Sequence, residues 1–289
     1  MAKEISAGIS IAGNRAQLAV FKVKEREHKL VFLQEYLRSD EHDLWFLKPL
    51  IDPENRILKK ISRVSIALDT RSVFLHAYPI DASLTQSEQN EHTNWELSRF
   101  IPEFRPNDYI CDRHVLRTRA REQIAEVLVV VVGRSLIFGI QEKITGKKFS
   151  LNVIDTSYFG AQHALIFSYP EIKVKTVALV SVGENRVDAG IEFNGRLIEY
   201  QYAADTSPES VTSVLRKVMK GSPVVEIFCS GPDASSEMVS FLSEAFGIPV
   251  TLMNPFRRMV KTSSFPDYDE FAGKEHRFAA CTGMALRRQ

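Results

Sequence analysis

Three polar residues recur, in the same order, at two places in the chain. Ser10, Asn14 and Arg15, within GISIAGNRAQLAVFK (Gly8 to Lys22), fall at a constant offset on Ser181, Asn185 and Arg186, within LVSVGENRVDAGIEF (Leu179 to Phe193). The apolar residues around them repeat as well: Ile11 falls on Val182, Ala16 on Val187 and Val20 on Ile191. A small polar turn between two apolar strands can do anion chemistry. Tight turns aim backbone N–H groups into a nest, and a guanidinium offers phosphate a planar fork. Two such arginines could hold an anion without a metal. The same residues also suit a plain turn, with asparagine accepting a left-handed backbone and arginine in solvent. Turn preferences favour that second reading. A third small-residue turn, Ser230-Gly231-Pro232, follows another apolar run.

Other constellations are bland. His28, His42, His76, His92, His114, His163 and His276 form no HxxxH or HxH pair, so no metal site is expected. There is no G-x-S-x-G elbow and no phosphate-binding Walker loop. Arg113, Arg117, Arg119 and Arg121 alternate along a β-type run without interleaved aromatics, which reads as a solvated edge and not as a nucleic-acid platform. The short run Arg257, Arg258 and Lys261 reads as solvated surface. Asp69, Asp81 and Asp155 end predicted strands, where ligands gather in α/β folds and where turn chemistry also places acids.

These turns need elements to hold them. With 289 residues the chain exceeds what one core usually serves, so two domains are expected. A hydrophobic fraction of 44%, a charged fraction of 25% and a net charge of +1 describe a globular protein without a global field for nucleic acid or anionic lipid. Cys111, Cys229 and Cys281 are few and scattered, which implies a reducing compartment and no disulfide framework. The N-terminus lacks the apolar core of a signal peptide. The longest apolar run, Val127 to Gly133, is too short to span a bilayer and reads as a strand buried on both faces.

Hydrophobic patterning predicts strands over 4–13, 15–23 and 29–36, with the charged KEREHK as a hairpin turn. A helix is predicted around 48–61, with Leu50, Ile57 and Ile61 on one face. Strands at 63–69 and 72–80 come next. A helix follows over 84–101, with Thr85 and Glu88 at capping-box spacing and Trp95 assigned to the core. The segments DYICDRHVLRTR and EQIAEVLVVVVG read as an antiparallel pair, then a helix at 135–147, a strand at 150–155 and a helix at 157–167. The second half repeats the plan: strands at 176–183 and 186–193, an Asn194-Gly195 hairpin signal and a third strand. A helix opened by Ser207 and Pro208 follows, then a strand, a helix closed by Gly247, another strand and a final small-residue helix.

This layout resembles the actin/Hsp70/sugar-kinase (ribonuclease H-like) fold: a duplicated α/β fold with two lobes around a cleft and a small inserted α+β subdomain. Within it the chain looks most like the PilM family of type IV pilus assembly proteins, and more distantly like the FtsA family. The stretches that carry the likeness are GISIAGNRAQLAVFK, WELSRFIPEFRPNDY, NVIDTSYFGAQHAL, FCSGPDASSEMVSFLSEAFGIPVTLMNPF and FAACTGMALRR, in family order along nearly the whole chain. The resemblance implies a first lobe over 1–175, with the inserted subdomain at about 81–149, and a second lobe over 176–289. Its last helix, about 275–288, would pack back on the first lobe.

The resemblance also implies a nucleotide site. Its contacts here would be Ser10, Gly13, Asn14, Arg15, Ser181, Gly183, Asn185, Arg186, Ser230, Gly231 and Pro232. The fold's magnesium chemistry uses an aspartate at the end of the first strand of each half. Both positions are serine here, Ser10 and Ser181, and neutral hydroxyls cannot replace two charges around a hard cation. Ala12, Gln17 and Glu184 depart from the pattern too, the last adding negative charge where phosphate would approach. ATP or ADP is therefore expected to bind weakly if at all, magnesium is not expected, and no catalytic residue is assigned.

PilM-like proteins bind the cytoplasmic tail of a bitopic partner, PilN, between the first lobe and the inserted subdomain. The corresponding region here is residues 63–110, where the helix bearing Trp95 and Phe100 meets strand 72–80. The expectation is a cytoplasmic scaffold of a pilus or secretion machine, peripheral to an inner-membrane complex, with a PilN-like partner and no nucleic acid. Membrane contact is expected to be indirect, since no amphipathic helix follows Arg288. The alternative is an active Mg-ATP-dependent ATPase or sugar-kinase-like phosphotransferase.

Overall fold

The computed structural model describes residues 4–24, 27–38, 44–261 and 266–287. Three strands open the chain: β1 (Glu4–Ala12), β2 (Arg15–Lys24) and β3 (Glu27–Leu37). The tip of the predicted KEREHK turn lies outside the described residues. The predicted helix at 48–61 is broken instead into a 3-10 turn at Trp45–Leu47, α1 (Lys48–Ile51) and a second 3-10 turn at Leu58–Lys60. Pro53 explains the break, because its ring keeps the preceding Asp52 out of the helical region, at φ −123° and ψ 69°. Leu50, Leu58 and Ile61 are nonetheless buried.

The chain continues as β4 (Arg63–Leu68), β5 (Val73–Asp81), α2 (Gln86–Ser98), β6 (Tyr109–Arg119), β7 (Ile124–Gly133), α3 (Arg134–Ile144), β8 (Ser150–Thr156) and α4 (Ser157–Ser168). Thr85 and Glu88 close the capping box as predicted. The second half runs β9 (Thr176–Val182), β10 (Val187–Phe193), β11 (Arg196–Ala203), α5 (Pro208–Val218), β12 (Glu226–Ser230), α6 (Ser236–Phe246), β13 (Val250–Leu252), β14 (Val260–Lys261) and α7 (Ala279–Leu286). Ser207 caps α5, and Gly247 ends α6 in the left-handed conformation. Residues 275–278, expected to be helical with α7, form a 3-10 turn.

The duplication is explicit in the sheets. The first has the order β14-β3-β2-β1-β4-β8 and the second β11-β10-β9-β12-β13, so leaving out the edge strand β14 the two orders coincide. In each, an antiparallel meander feeds two further parallel strands. The register aligns the echoed residues: Ser10 pairs with Gln17 across its hairpin, and Ser181 with Asp188.

A third sheet, β5-β7-β6, stands apart from both. It begins at Val73, ahead of the expected boundary near 81, because β4 pairs directly with β8 and leaves β5 to pair along its length with β7. The strand β7 is buried on two faces. Val127, Val129 and Val131 pack under α2 with Tyr78, Ile80 and Leu97, while Leu128 joins the first-lobe core with Leu75 and Leu116. β6 is the exposed edge of this sheet, as expected, and Arg117 and Arg119 are ion-paired there. Arg117 pairs with Glu126 and, across to β11, with Glu199, while Arg119 pairs with Glu122 and Glu126. Arg121 lies beyond the strand, in a 3-10 turn.

α7 is wedged between β1 and α4. A Cβ on Gly283 would come within 1.8 Å of the Gly160 carbonyl oxygen, and one on Gly8 within 1.9 Å of the Cys281 carbonyl oxygen. Small residues are what let the backbones approach this closely. The Ser6 hydroxyl donates to the Ala285 carbonyl, fixing α7 along the first sheet.

Candidate functional site

The two echoed hairpins face each other across one small cavity. Ser10, Ser181, Gly183, Asn185, Arg186, Gly231 and Pro232 line it together. Gly13 packs against Glu184 and Arg71, which also line it. Asn14 is exposed, and Ser230 lies buried behind the cavity, its hydroxyl donating to the Val180 carbonyl at 3.2 Å. The left-handed position of the first turn belongs to Gly13, at φ 62°, and not to Asn14.

The cavity measures about 30 Å³, room for only a few water molecules. Ligand pockets for drug-sized molecules span roughly 300–1,000 Å³. Three contacts between the lobes close it. Arg15 Nη1 of the first hairpin lies 3.6 Å from Asp233 Oδ1, in the turn after β12. The Thr70 hydroxyl, after β4, donates to Asp188 Oδ2 on β10 at 3.0 Å. Arg71 Nη2 reaches Glu184 Oε2 of the second hairpin at 3.4 Å.

Arg71 is itself set by Asp69, which accepts from its backbone N–H, Nε and Nη2 at 2.9, 3.0 and 2.9 Å. Asp69 Oδ2 also accepts the Gly13 N–H at 2.8 Å. The backbone donor that a phosphate would seek is thus held by the protein's own carboxylate. Glu184 Oε2 sits where a Cβ on Gly13 would come within 1.6 Å of it, so the turn accepts glycine alone without displacing that carboxylate.

The echo partners Gln17 and Asp188 have diverged. In the first lobe Ser10 donates to Gln17 Oε1 at 3.0 Å, Gln17 Nε2 donates to Glu35 at 3.1 Å, and Arg277 pairs with Glu35 at 3.0 Å. In the second lobe Asp188 is 3% exposed and accepts from Arg186 Nε at 2.9 Å, from Thr70 and from the Tyr200 hydroxyl. Burial pushes its carboxyl upward while the adjacent Arg186 opposes that shift. Arg186 also stacks over Tyr202, 3.9 Å from the ring centroid.

Both echoed arginines therefore face protein carboxylates instead of standing free. Asp69 was visible in the sequence as a strand-end acid; Thr70, Arg71 and Asp188 were not singled out. The signal that could have found Asp188 is its charge inside an apolar strand, at the echo of Gln17.

Ser10 and Ser181 bring only hydroxyls, and the nearby carboxylates Asp69 and Asp188 are each committed to an arginine. Among the described residues no three His, Cys, Asp or Glu side chains gather to hold a metal.

A second concavity, of about 500 Å³, runs between the first lobe and the inserted sheet. Leu68, Val73, Val130, Val132, Ile154 and Phe159 give it apolar walls, and Asp112, Arg113, His114, Asp155, His163 and Arg287 bring polar groups. Asp155 and Arg287 are ion-paired, and burial lowers the pKa of His163. The His114 Nε2 is buried without a hydrogen-bond partner.

Trp95 and Phe100 do not line this groove. They belong to the α2 side of the inserted sheet, while the groove lies on the side facing the lobe. Nor is Trp95 core: α2 buries Thr93, Glu96 and Leu97 and leaves Trp95 57% exposed, with Arg99 5.1 Å from its ring centroid. Phe100 is 48% exposed against His76.

No family model matches the chain, and no curated protein matches it by sequence. Solved structures do. A chain of the "PilM-PilN type IV pilus biogenesis complex" superposes with a TM-score of 0.71 at 16% identity, covering 98% of each chain. A Bacteroides thetaiotaomicron protein with an actin-like ATPase fold and unknown function gives a TM-score of 0.56 at 14% identity, over 88% of this chain and 92% of that one. The ethanolamine utilization protein EutJ from Carboxydothermus hydrogenoformans gives 0.52 at 9% identity, over 99% and 90%. No helix among the described residues is long and apolar enough to cross a membrane. With two sheets of matching order closed on one cleft, and with these neighbours, the chain has the duplicated actin-like ATPase fold.

Proposed function

We propose that this chain is an actin-like scaffold or adaptor of a type IV pilus or related secretion machine. It works on the cytoplasmic side of an inner-membrane complex, binds the tail of a membrane partner of the PilN kind, and needs no tightly bound nucleotide. The observation that carries this reading is the groove between the first lobe and the inserted sheet, on a fold that follows the PilM–PilN chain end to end. Its apolar walls and charged groups suit an extended tail that buries alternate side chains and pairs its charges around them. The closed hairpin cleft supports the loss of nucleotide binding, since about 30 Å³ admits no nucleoside.

The test is fluorescence anisotropy with a labelled peptide, the N-terminal cytoplasmic tail of the PilN-like protein from the same organism. Val132→Asp and Ile154→Asp should each weaken binding at least about tenfold, the effect of roughly 1.4 kcal/mol, whereas Trp95→Ala should leave it unchanged. Absence of binding, or loss through Trp95→Ala alone, would remove the groove from this role.

A further inference from the structure

The hairpin cleft is closed by the protein's own acids, each placed against an arginine from the opposite lobe. Glu184 lies against Gly13 and reaches Arg71, while Asp233 faces Arg15. Arg71 and Arg15 belong to the first lobe, and both acids to the second. We propose that Glu184 and Asp233 are built-in substitutes for an oxyanion ligand: they satisfy the cleft's cationic groups from within and latch the lobes shut without nucleotide.

Three features argue for this over incidental surface pairing. First, the two pairs flank a buried anchor of the same polarity of contact, in which Thr70 of the first lobe donates to Asp188 of the second. Second, the Glu184 carboxylate fills the space beside Gly13, a position that the left-handed turn at φ 62° leaves without a side chain. Third, removing both acids changes the local balance by two charges. It leaves Arg15 without its acid and Arg71 with Asp69 alone, a cationic mouth between two hairpins. An oxyanion of the pyrophosphate class carries the charge and the acceptors to replace both carboxylates. This inference concerns the cleft alone and is independent of the tail groove.

Hydrogen–deuterium exchange on the full chain tests it, comparing the wild type with Glu184→Gln, Asp233→Asn and the double variant. Partly exposed ion pairs change such equilibria by roughly two- to fivefold each. Exchange in the peptides spanning Ser10–Arg15 and Gly183–Val187 should therefore rise by that factor in the single variants and by about tenfold in the double. Millimolar inorganic pyrophosphate should restore protection in the double variant and leave the wild type unchanged. Far-UV circular dichroism and unchanged exchange in α6 confirm that the variant is folded. If the double variant is unfolded, the two single variants decide by the same readout. Unchanged exchange in folded variants overturns the latch. A double variant that opens but ignores pyrophosphate, or a wild type that responds equally, overturns the substitute-ligand role.

Discussion

Glu192 should make the protein less stable as pH rises from about 4.5 toward neutrality, and Glu192→Gln should abolish that contribution. Glu192 is 1% exposed on β10; its carboxyl accepts from Gln162 Nε2 at 2.8 Å and lies beside the buried Tyr158 hydroxyl. Burial raises its pKa from 4.5 to about 7. Between those values the native state holds a proton that the unfolded chain has released, so stability falls with rising pH. The full cost, about 3 kcal/mol, is present above pH 7 and absent below about pH 4.5.

The lowered pKa values of His163 and His276 act in the opposite sense, since the unfolded chain then binds the extra protons. Wild-type slopes alone are therefore ambiguous, and the difference between variant and wild type isolates Glu192. Glutamine keeps an acceptor for Gln162 at nearly equal volume. Urea unfolding at pH 5 and pH 8 should show the variant's relative stability growing by about 2.5 kcal/mol across that interval. Parallel pH profiles in the two proteins would refute the assignment of a neutral, buried carboxyl.

Excess Mg-ATP should leave thermal stability unchanged, because a ligand at 100 times its dissociation constant would add about 2.7 kcal/mol; a magnesium-dependent shift with phosphate release would restore the enzymatic alternative. Asp188→Ala should cost about 3–5 kcal/mol, measured by denaturant unfolding, because it strands the buried Arg186 guanidinium. Gly283→Ala should cost about 1–3 kcal/mol or more, seen as a lowered Tm, since the methyl group meets the Gly160 carbonyl across the α7–α4 contact. Trp95→Ala should fall within about 0.5 kcal/mol of wild type, as a surface change.

Much of the fold was legible because it rests on local period and local punctuation. Alternating apolar strands, the Thr85–Glu88 box, Ser207 with Pro208, and Gly247 each act within a few residues. The duplication was legible for the same reason, since Ser10, Asn14 and Arg15 repeat as a phrase. The helix at 48–61 failed because apolar spacing was weighed without Pro53. Trp95 failed because size was taken for burial, when the helical face is set by its neighbours Glu96 and Leu97.

The chain's own residues determined two related α/β lobes, the serines where a magnesium site would want acids, and the turns that face the cleft. Tertiary structure alone decided what those turns hold. Arg15 and Asp233, Arg71 and Glu184, Thr70 and Asp188 are each more than a hundred residues apart. No spacing rule links such pairs; they meet only because two similar sheets, each with its hairpin at the same strand ends, are brought face to face. The groove between the first lobe and the inserted sheet has the same origin, since its walls come from strands on separate sheets. Local propensity shapes a turn, but whether its charge meets an anion, water or the protein's own acid depends on the opposing surface.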